Sequence, residues 1–208
     1  MIIFILGIVF GYLLNIYINY FLKSLNINYH KANYPLVIII NIILWFIIIQ
    51  NNEFTINSLL YCLLTSLLII ITIIDFKSFE IPQLITLSIL VLAIIKLFFN
   101  ISNIFDYLLG FFIVSFYILF LIILSKGKAI GGGDFKLMAS AGLFLGYKLI
   151  ILAFIIGIIS ASIIHSIKVI FFKANKVLAF GPYLSIGIYL SLNYGNFLIN
   201  WYLSLFNM

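Results

Sequence analysis

Asp75 and Asp134 are the residues of this sequence whose types and placement best suit chemistry. The chain carries five acidic residues in 208. These two stand at the edges of long apolar runs, where a carboxylate is costly to desolvate and marks a functional site. Asp134 follows Gly131-Gly132-Gly133 and precedes Phe135-Lys136-Leu137. The glycines strip side chains from its surroundings and open backbone conformations closed to other residues, so that another backbone or an extended peptide can approach. A plainer local reading is a flexible turn in which Asp134 caps a helix over Phe135–Tyr147; for Asp75 it is an interfacial charge paired with Lys77. Two carboxylates held close cannot both ionise easily and share a proton. The ionised one can take a proton from water and the protonated one can donate to a peptide carbonyl, which is the chemistry of an aspartyl protease. No Ser/His/Asp set, phosphate loop or metal-ligand spacing competes with it.

The elements that must position this pair are membrane helices. The hydrophobic fraction is 66% and the charged fraction 8%, against about 25% charged in a soluble domain, and the mean hydropathy is +1.34. This composition predicts an all-α, polytopic membrane bundle forming a single membrane-embedded domain over residues 1–208. Eight hydrophobic segments can be traced: Ile2–Leu22, Pro35–Ile49, Ile56–Ile74, Ile81–Phe99, Tyr107–Leu124, Phe135–Gly146, Leu149–Phe172 and Tyr183–Phe206. The first lacks a basic start and a small-residue cleavage site and reads as a retained span. Phe135–Phe172 is too long for one span of about 20 residues, so a break is expected at Gly146-Tyr147-Lys148. With the N-terminus outside, Lys23, Lys31, Lys77, Lys126, Lys128, Lys136, Lys168, Lys173 and Lys176 fall on the cytoplasmic side, and only Lys96 and Lys148 outside. That bias is the positive-inside pattern. It puts Asp75 and Asp134 on one face and Asp106 on the other. The net charge of +6 is explained by these loop lysines and does not point to nucleic acid.

Other features read as structural. Gly7, Gly11, Asn15 and Asn19 form one helix stripe suited to interhelical packing. Pro82 suits the start of the fourth helix, Glu80 is a helix-start or surface acid, and Asp106 opens the fifth span as a cap would. His165 suits an interhelical hydrogen bond. His30 stands alone in the first loop. The single cysteine, Cys62, excludes an intrachain disulfide and a cysteine zinc site, and no metal site is expected.

Several segments, in order along almost the whole chain, resemble one family. Gly131-x-Gly133-Asp134-Phe135-Lys136-Leu137 is similar to the GxGD-x-K-L motif of the prepilin peptidases, the type IV leader peptidases. Asp75, followed at Ile81-Pro82 by isoleucine-proline, resembles that family's first catalytic aspartate. Phe180-Gly181-Pro182-Tyr183-Leu184-Ser185-Ile186-Gly187 resembles its FGP-x-L-x-x-G segment, Gly11-Tyr12-Leu13-Leu14-Asn15-Ile16 its GSFLNV, and Tyr34-Pro35-Leu36-Val37 its YPLV. Two departures stand out. Typical bacterial members carry a cytoplasmic insert with two zinc-binding CxxC pairs between the first two spans, where this chain has only Lys23 to Tyr34 and no cysteine. The family's Glu after YPLV is Ile38 here.

The resemblance implies a GxGD-type membrane aspartyl endopeptidase of short form. It would remove the leader of a prepilin or pseudopilin at the cytoplasmic face of the bacterial plasma membrane. Catalysis would rest on Asp75 and Asp134, with Gly131, Gly132, Gly133 and Lys136 lining the substrate backbone. The substrate implied has a short basic leader ending in Gly, followed by a hydrophobic helix. The implied partners are that substrate and the lipid bilayer. Cleavage implies no cofactor; S-adenosylmethionine is implied only if N-methyltransferase activity is retained. Two readings stay open beside it. One is a presenilin-like intramembrane protease, which shares GxGD but pairs it with Tyr-Asp and Pro-Ala-Leu, where this chain has Ile74-Asp75 and Phe180-Gly181-Pro182. The other is a small transporter using the Asp pair as a proton or cation relay.

Overall fold

The structure, a computed structural model, describes residues 2–25, 35–52, 54–127, 130–172 and 178–205. Tyr34, His30 and Lys31 of the first loop, Glu53, and the loop lysines Lys128, Lys173 and Lys176 lie outside the described residues. Among those described, the chain folds into α1 (Ile2–Ser24), α2 (Pro35–Asn51), α3 (Ile56–Ser78), α4 (Gln83–Phe99), a 3-10 turn at Ile101–Asn103, α5 (Ile104–Leu124), α6 (Gly132–Leu145), α7 (Tyr147–Phe172) and α8 (Gly181–Ser204). The eight α-helices match the eight apolar segments, and the chain is a multi-pass membrane bundle. Four stretches, Leu6–Ser24, Ile56–Ser78, Ile101–Leu124 and Tyr147–Phe171, are long and apolar enough to cross a membrane by length and composition. α2 and α4 are shorter apolar helices.

Helix ends depart from the sequence expectation at the two places that matter most. α3 runs one turn past Ile74, so Asp75 sits inside its last turn instead of after it. α6 begins at Gly132, so the glycine run is the start of a helix and Asp134 is the third residue in it, not its cap. The break expected between the sixth and seventh segments is a single residue, Gly146, at φ +86°, a conformation that glycine adopts without steric cost.

Packing follows the rules for helices in lipid, where small residues and buried polar groups replace the hydrophobic drive. The Gly7/Gly11 stripe of α1 packs on α2: a Cβ at Gly11 would lie 3.0 Å from the Cα of Ile38. Asn41 Nδ2 donates to the Gly7 carbonyl at 3.0 Å, Ser66 Oγ to Asn41 Oδ1 at 2.8 Å, and Trp45 Nε1 to Ser66 Oγ at 3.0 Å. This chain of bonds joins α1, α2 and α3 inside an otherwise apolar contact. Thr55 starts α3 as a capping box with Ser58, an arrangement worth about 1 kcal/mol. On the other side of the bundle, Ser191 Oγ donates to the Leu149 carbonyl at 2.6 Å and ties α8 to α7.

The centre of the bundle is α6. Its residues Leu137–Leu145 are all buried, and it packs against α4, α5, α7 and α8. A helix apolar on every side belongs in the middle of a protein, which is why this segment is too short and too weakly amphipathic to be read alone. Fourteen residues make a rod of about 21 Å, shorter than the roughly 30 Å apolar layer. Enclosure by its neighbours, not lipid, supplies its surroundings. α5 reaches it closely enough for backbones to touch, because a Cβ at Gly110 would fall 2.7 Å from the Gly146 carbonyl carbon.

Gly110→Val should therefore lower the thermal midpoint of the detergent-solubilised protein, at a cost of roughly 1–3 kcal/mol or more from overpacking. Gly132→Ala, where a Cβ meets nothing within 4 Å, should leave the midpoint in place. Equal midpoints in the two variants would mean that α5 and α6 do not meet through these glycines.

Candidate functional site

At one end of the bundle a cleft of about 270 Å³ is lined by Asp75, Phe79, Glu80, Ile81, Gly131, Gly132, Gly133 and Asp134. Three chain segments build it: the last turn of α3, the short link from α3 to α4, and the first turn of α6. Asp75 and Asp134 are 5% and 8% exposed and come from helices far apart in sequence. Each carboxylate is held by a backbone N–H at the start of a helix. Gly181, the first residue of α8, donates to Asp75 Oδ2 at 2.8 Å. Gly131, just ahead of α6, donates to Asp134 Oδ2 at 3.3 Å. The first N–H groups of a helix have no intrahelical partner, and that end carries partial positive charge, so both donors suit an anion.

The Asp75 contact also explains two neighbours. A Cβ on Gly181 would lie 2.8 Å from Asp75 Oδ2, so a larger residue there would displace the carboxylate. Pro182 follows, at a position in the first helical turn where the missing N–H costs nothing. Asp75 itself stands in the C-terminal turn of α3, where a negative charge is disfavoured by about 0.3–1 kcal/mol. A hydrogen bond to a charged group, worth roughly 1.5–3 kcal/mol, outweighs that. The α3 helix ends at Phe79, whose backbone is left-handed at φ 56° and whose N–H closes onto the Asp75 carbonyl at 2.9 Å. For a bulky residue that conformation costs on the order of 1–2 kcal/mol. Its effect here is to turn the chain sharply, so that Phe79, Glu80 and Ile81 line the cleft.

The glycines act through space, not through unusual dihedrals. Gly131 is extended at φ −79° and ψ 150°. A Cβ on Gly133 would lie 2.9 Å from Ile81 Cβ, so Gly133 is what lets α6 seat against the α3–α4 link. Gly132 faces open space and leaves a bare backbone wall beside Asp134. Lys136, expected in this group, is exposed and lies off the cleft-lining set: two residues beyond Asp134, helical rotation carries it to another side of α6. Asp106 is in the first turn of α5, near Gly146 at the opposite end of α6, away from the pair as the lysine bias predicted. Glu80, read from sequence as a surface acid, is exposed but stands at the cleft rim. Gly181 was not among the expected site residues, and its signal was the Gly-Pro break before the last helix.

Asp134 precedes the apolar stretch of α6 that starts at Phe135. Burial first, and the charge of Asp75 second, push its carboxyl up to about 7, against the opposing bond from Gly131. The charge of Asp75 thus bears on Asp134 across the cleft, and the doubly ionised state is disfavoured. Among the described residues no group of three or more His, Cys, Asp or Glu is placed to hold a metal ion. His165 is half-buried in α7 and Cys62 is buried in α3, both outside the cleft.

The profile of the Type IV leader peptidase family matches residues 62–166, half of the chain, a stretch that includes both aspartates and the glycine run. The chain belongs to the type IV leader peptidase family. Among its curated relatives is a "Prepilin leader peptidase/N-methyltransferase" of Aeromonas salmonicida, 28% identical over 186 residues, covering 84% of this chain and 62% of the relative. Proteins of the same description from Pectobacterium carotovorum (34% over 139 residues, 60% and 47%) and Legionella pneumophila (29% over 191 residues, 83% and 63%) are also similar. The chain thus spans less than two thirds of the length of these relatives. No solved structure matches it.

An acid whose folded pKa is raised stays neutral at a pH where a free carboxyl is ionised. Titrated by infrared spectroscopy, the wild-type protein should keep a carboxylic-acid band up to about pH 7, and Asp134→Asn should remove it. Carboxyl bands that all vanish by about pH 5, as for solvated aspartates, would mean that Asp134 is not buried in the folded protein.

Proposed function

We propose that this chain is an aspartic endopeptidase that cuts the N-terminal leader from type IV prepilin-like proteins at the cytoplasmic face of the bacterial plasma membrane. The observation that carries this reading is the pair Asp75 and Asp134, both buried and both lining one cleft whose glycine wall admits an extended backbone. Family membership and the description of the relatives as prepilin leader peptidases support it. The cytoplasmic placement rests on the lysine distribution.

In the proposed reaction the ionised member of the pair takes a proton from a water molecule as its oxygen attacks the scissile carbonyl carbon. The protonated member donates to the carbonyl oxygen. Collapse of the tetrahedral intermediate breaks the C–N bond, the proton taken from water passes to the leaving amine, and a hydroxyl of the gem-diol returns its proton to the acid that had donated one, so that the pair again carries a single proton. Gly131, Gly132 and Gly133 would let the substrate backbone lie against α6 without a side chain between. The substrate would present a short basic leader ending in Gly, with its hydrophobic helix alongside the spans. The bilayer and that substrate are the proposed partners. Hydrolysis by two carboxylates needs neither metal nor organic cofactor. S-adenosylmethionine would enter only with a retained methyl transfer. The stretch from Lys23 to Tyr34 is about a dozen residues and holds no cysteine.

Asp75→Asn and Asp134→Asn should each insert normally and cut a prepilin peptide at least ~100-fold more slowly, the lower end of what a positioned acid–base group contributes. Asp106→Asn and Glu80→Gln should keep most of the activity. The wild-type rate should be bell-shaped in pH, with two limbs that belong to the pair. A fully active Asp75→Asn enzyme, or a rate governed by a single ionisation, would overturn the mechanism.

The product of the purified enzyme with S-adenosylmethionine present should carry an unmodified new N-terminus. Mass spectrometry reads this directly, and a product heavier by one methyl group would show that the membrane bundle itself carries the transferase activity.

A further inference from the structure

Lys96 has no part in the proposed cleavage, yet it is buried, at 5% exposed, three residues from the end of α4. A lysine inside a membrane bundle is costly unless its ammonium finds partners, and here the partners are specific. Nζ donates to the Phe144 carbonyl at 2.8 Å. It also lies 4.6 Å from the Phe144 ring centroid, 5.1 Å from that of Tyr61 and 5.2 Å from that of Tyr107, all within reach of a cation–π contact. Phe144 is the last residue but one of α6. Its carbonyl belongs to the set left without an intrahelical donor at a helix C-terminus, at the negative end of the helix. The other end of α6 begins with Gly132, Gly133 and Asp134, and there Gly133 rests on Ile81, two residues before α4. α4 and α6 thus run side by side in the same direction and are clasped at both ends. Between the clasps, the contact of α6 with α5 runs through Gly110 and Gly142.

We infer that Lys96 is a positioning residue. By holding the C-terminal end of α6 it sets the height at which Asp134, at the other end of the same rod of about 20 Å, faces Asp75. The kinetic part of this inference rests on the peptidase reading; the geometric part does not.

The test uses the full chain in a Cys62→Ser background, with spin labels at Lys77→Cys and Lys136→Cys, exposed positions at the end of α3 and in the first turns of α6. Lys96→Met should shift or broaden the label distance by about 1 Å or more and, in the unlabelled enzyme, lower kcat roughly 10- to 100-fold with KM nearly unchanged, the effect of a small misplacement. Lys96→Arg, which keeps charge and donors, should recover most of both. An unmoved distance overturns the inference, even if kcat falls, and so does an Arg variant as impaired as the Met variant. Should Lys96→Met fail to insert, Lys96→Gln decides: an intermediate shift supports the role, and a wild-type distance with wild-type kcat overturns it. A wild-type chain that cleaves no prepilin would count against the peptidase reading alone, and the label distances would still settle the role of Lys96.

Discussion

Two buried carboxylates at one end of an apolar bundle need something to take the place of water. In this protein the substitute is the start of a helix, used twice. Asp75 takes the first N–H of α8, and Asp134 takes the N–H of Gly131, the residue just ahead of its own helix, α6. Orphan donors at a helix N-terminus already point outward and carry partial positive charge, so neither interaction asks for an additional cation. Much of the architecture at this end follows. α8 must begin at Gly181, because any side chain there would occupy the space of the Asp75 carboxylate. α3 must stop abruptly at Phe79, so that its last turn can present Asp75 while the chain reverses into α4.

The same constraint accounts for the unusual character of α6. A helix that delivers an acid to a cleft is best held rigidly, and over Leu137–Leu145 α6 is enclosed by other helices. Close approach requires small residues, which is why glycine recurs along it: Gly133 where it meets Ile81, Gly142 where it meets α5, and Gly146 where the chain turns into α7. Glycine inside a helix costs about 1 kcal/mol relative to alanine. The buried contacts that become possible offset that cost. Aromatic rings and a buried lysine close the far end, so the buried charged side chains among the described residues, Asp75, Asp134 and Lys96, lie at the two ends of a single short helix.

The site is correspondingly sparse. Its walls are backbone at Gly131 and Gly132, two acids, and the turn Phe79-Glu80-Ile81. Such a cleft offers an extended backbone main-chain contacts more than pockets for side chains, which is what the substrate proposed above would need. The neighbouring acid and the burial of Asp134 favour a state in which the pair carries one proton, the state that acid–base hydrolysis of an amide requires.

The sequence by itself determined the class of protein and the candidates for its chemistry. Composition demanded a helical membrane bundle, because no soluble fold could bury so apolar a chain. Lysine placement separated Asp106 from Asp75 and Asp134, because topology is encoded in loop charge. What sequence could not decide was contact. The partner of Asp75 is Gly181, more than a hundred residues away, and nothing local in either stretch states that α3 and α8 meet. Local reading also made Asp134 a cap and its glycines a turn, since a glycine run ordinarily breaks a helix. In the fold α6 starts at Gly132, Gly133 packs against Ile81, and Lys136 lies off the cleft. The height, burial and company of each carboxylate are properties of how the helices pack, and packing depends on residues far apart in the chain whose complementarity exists only once the bundle has formed.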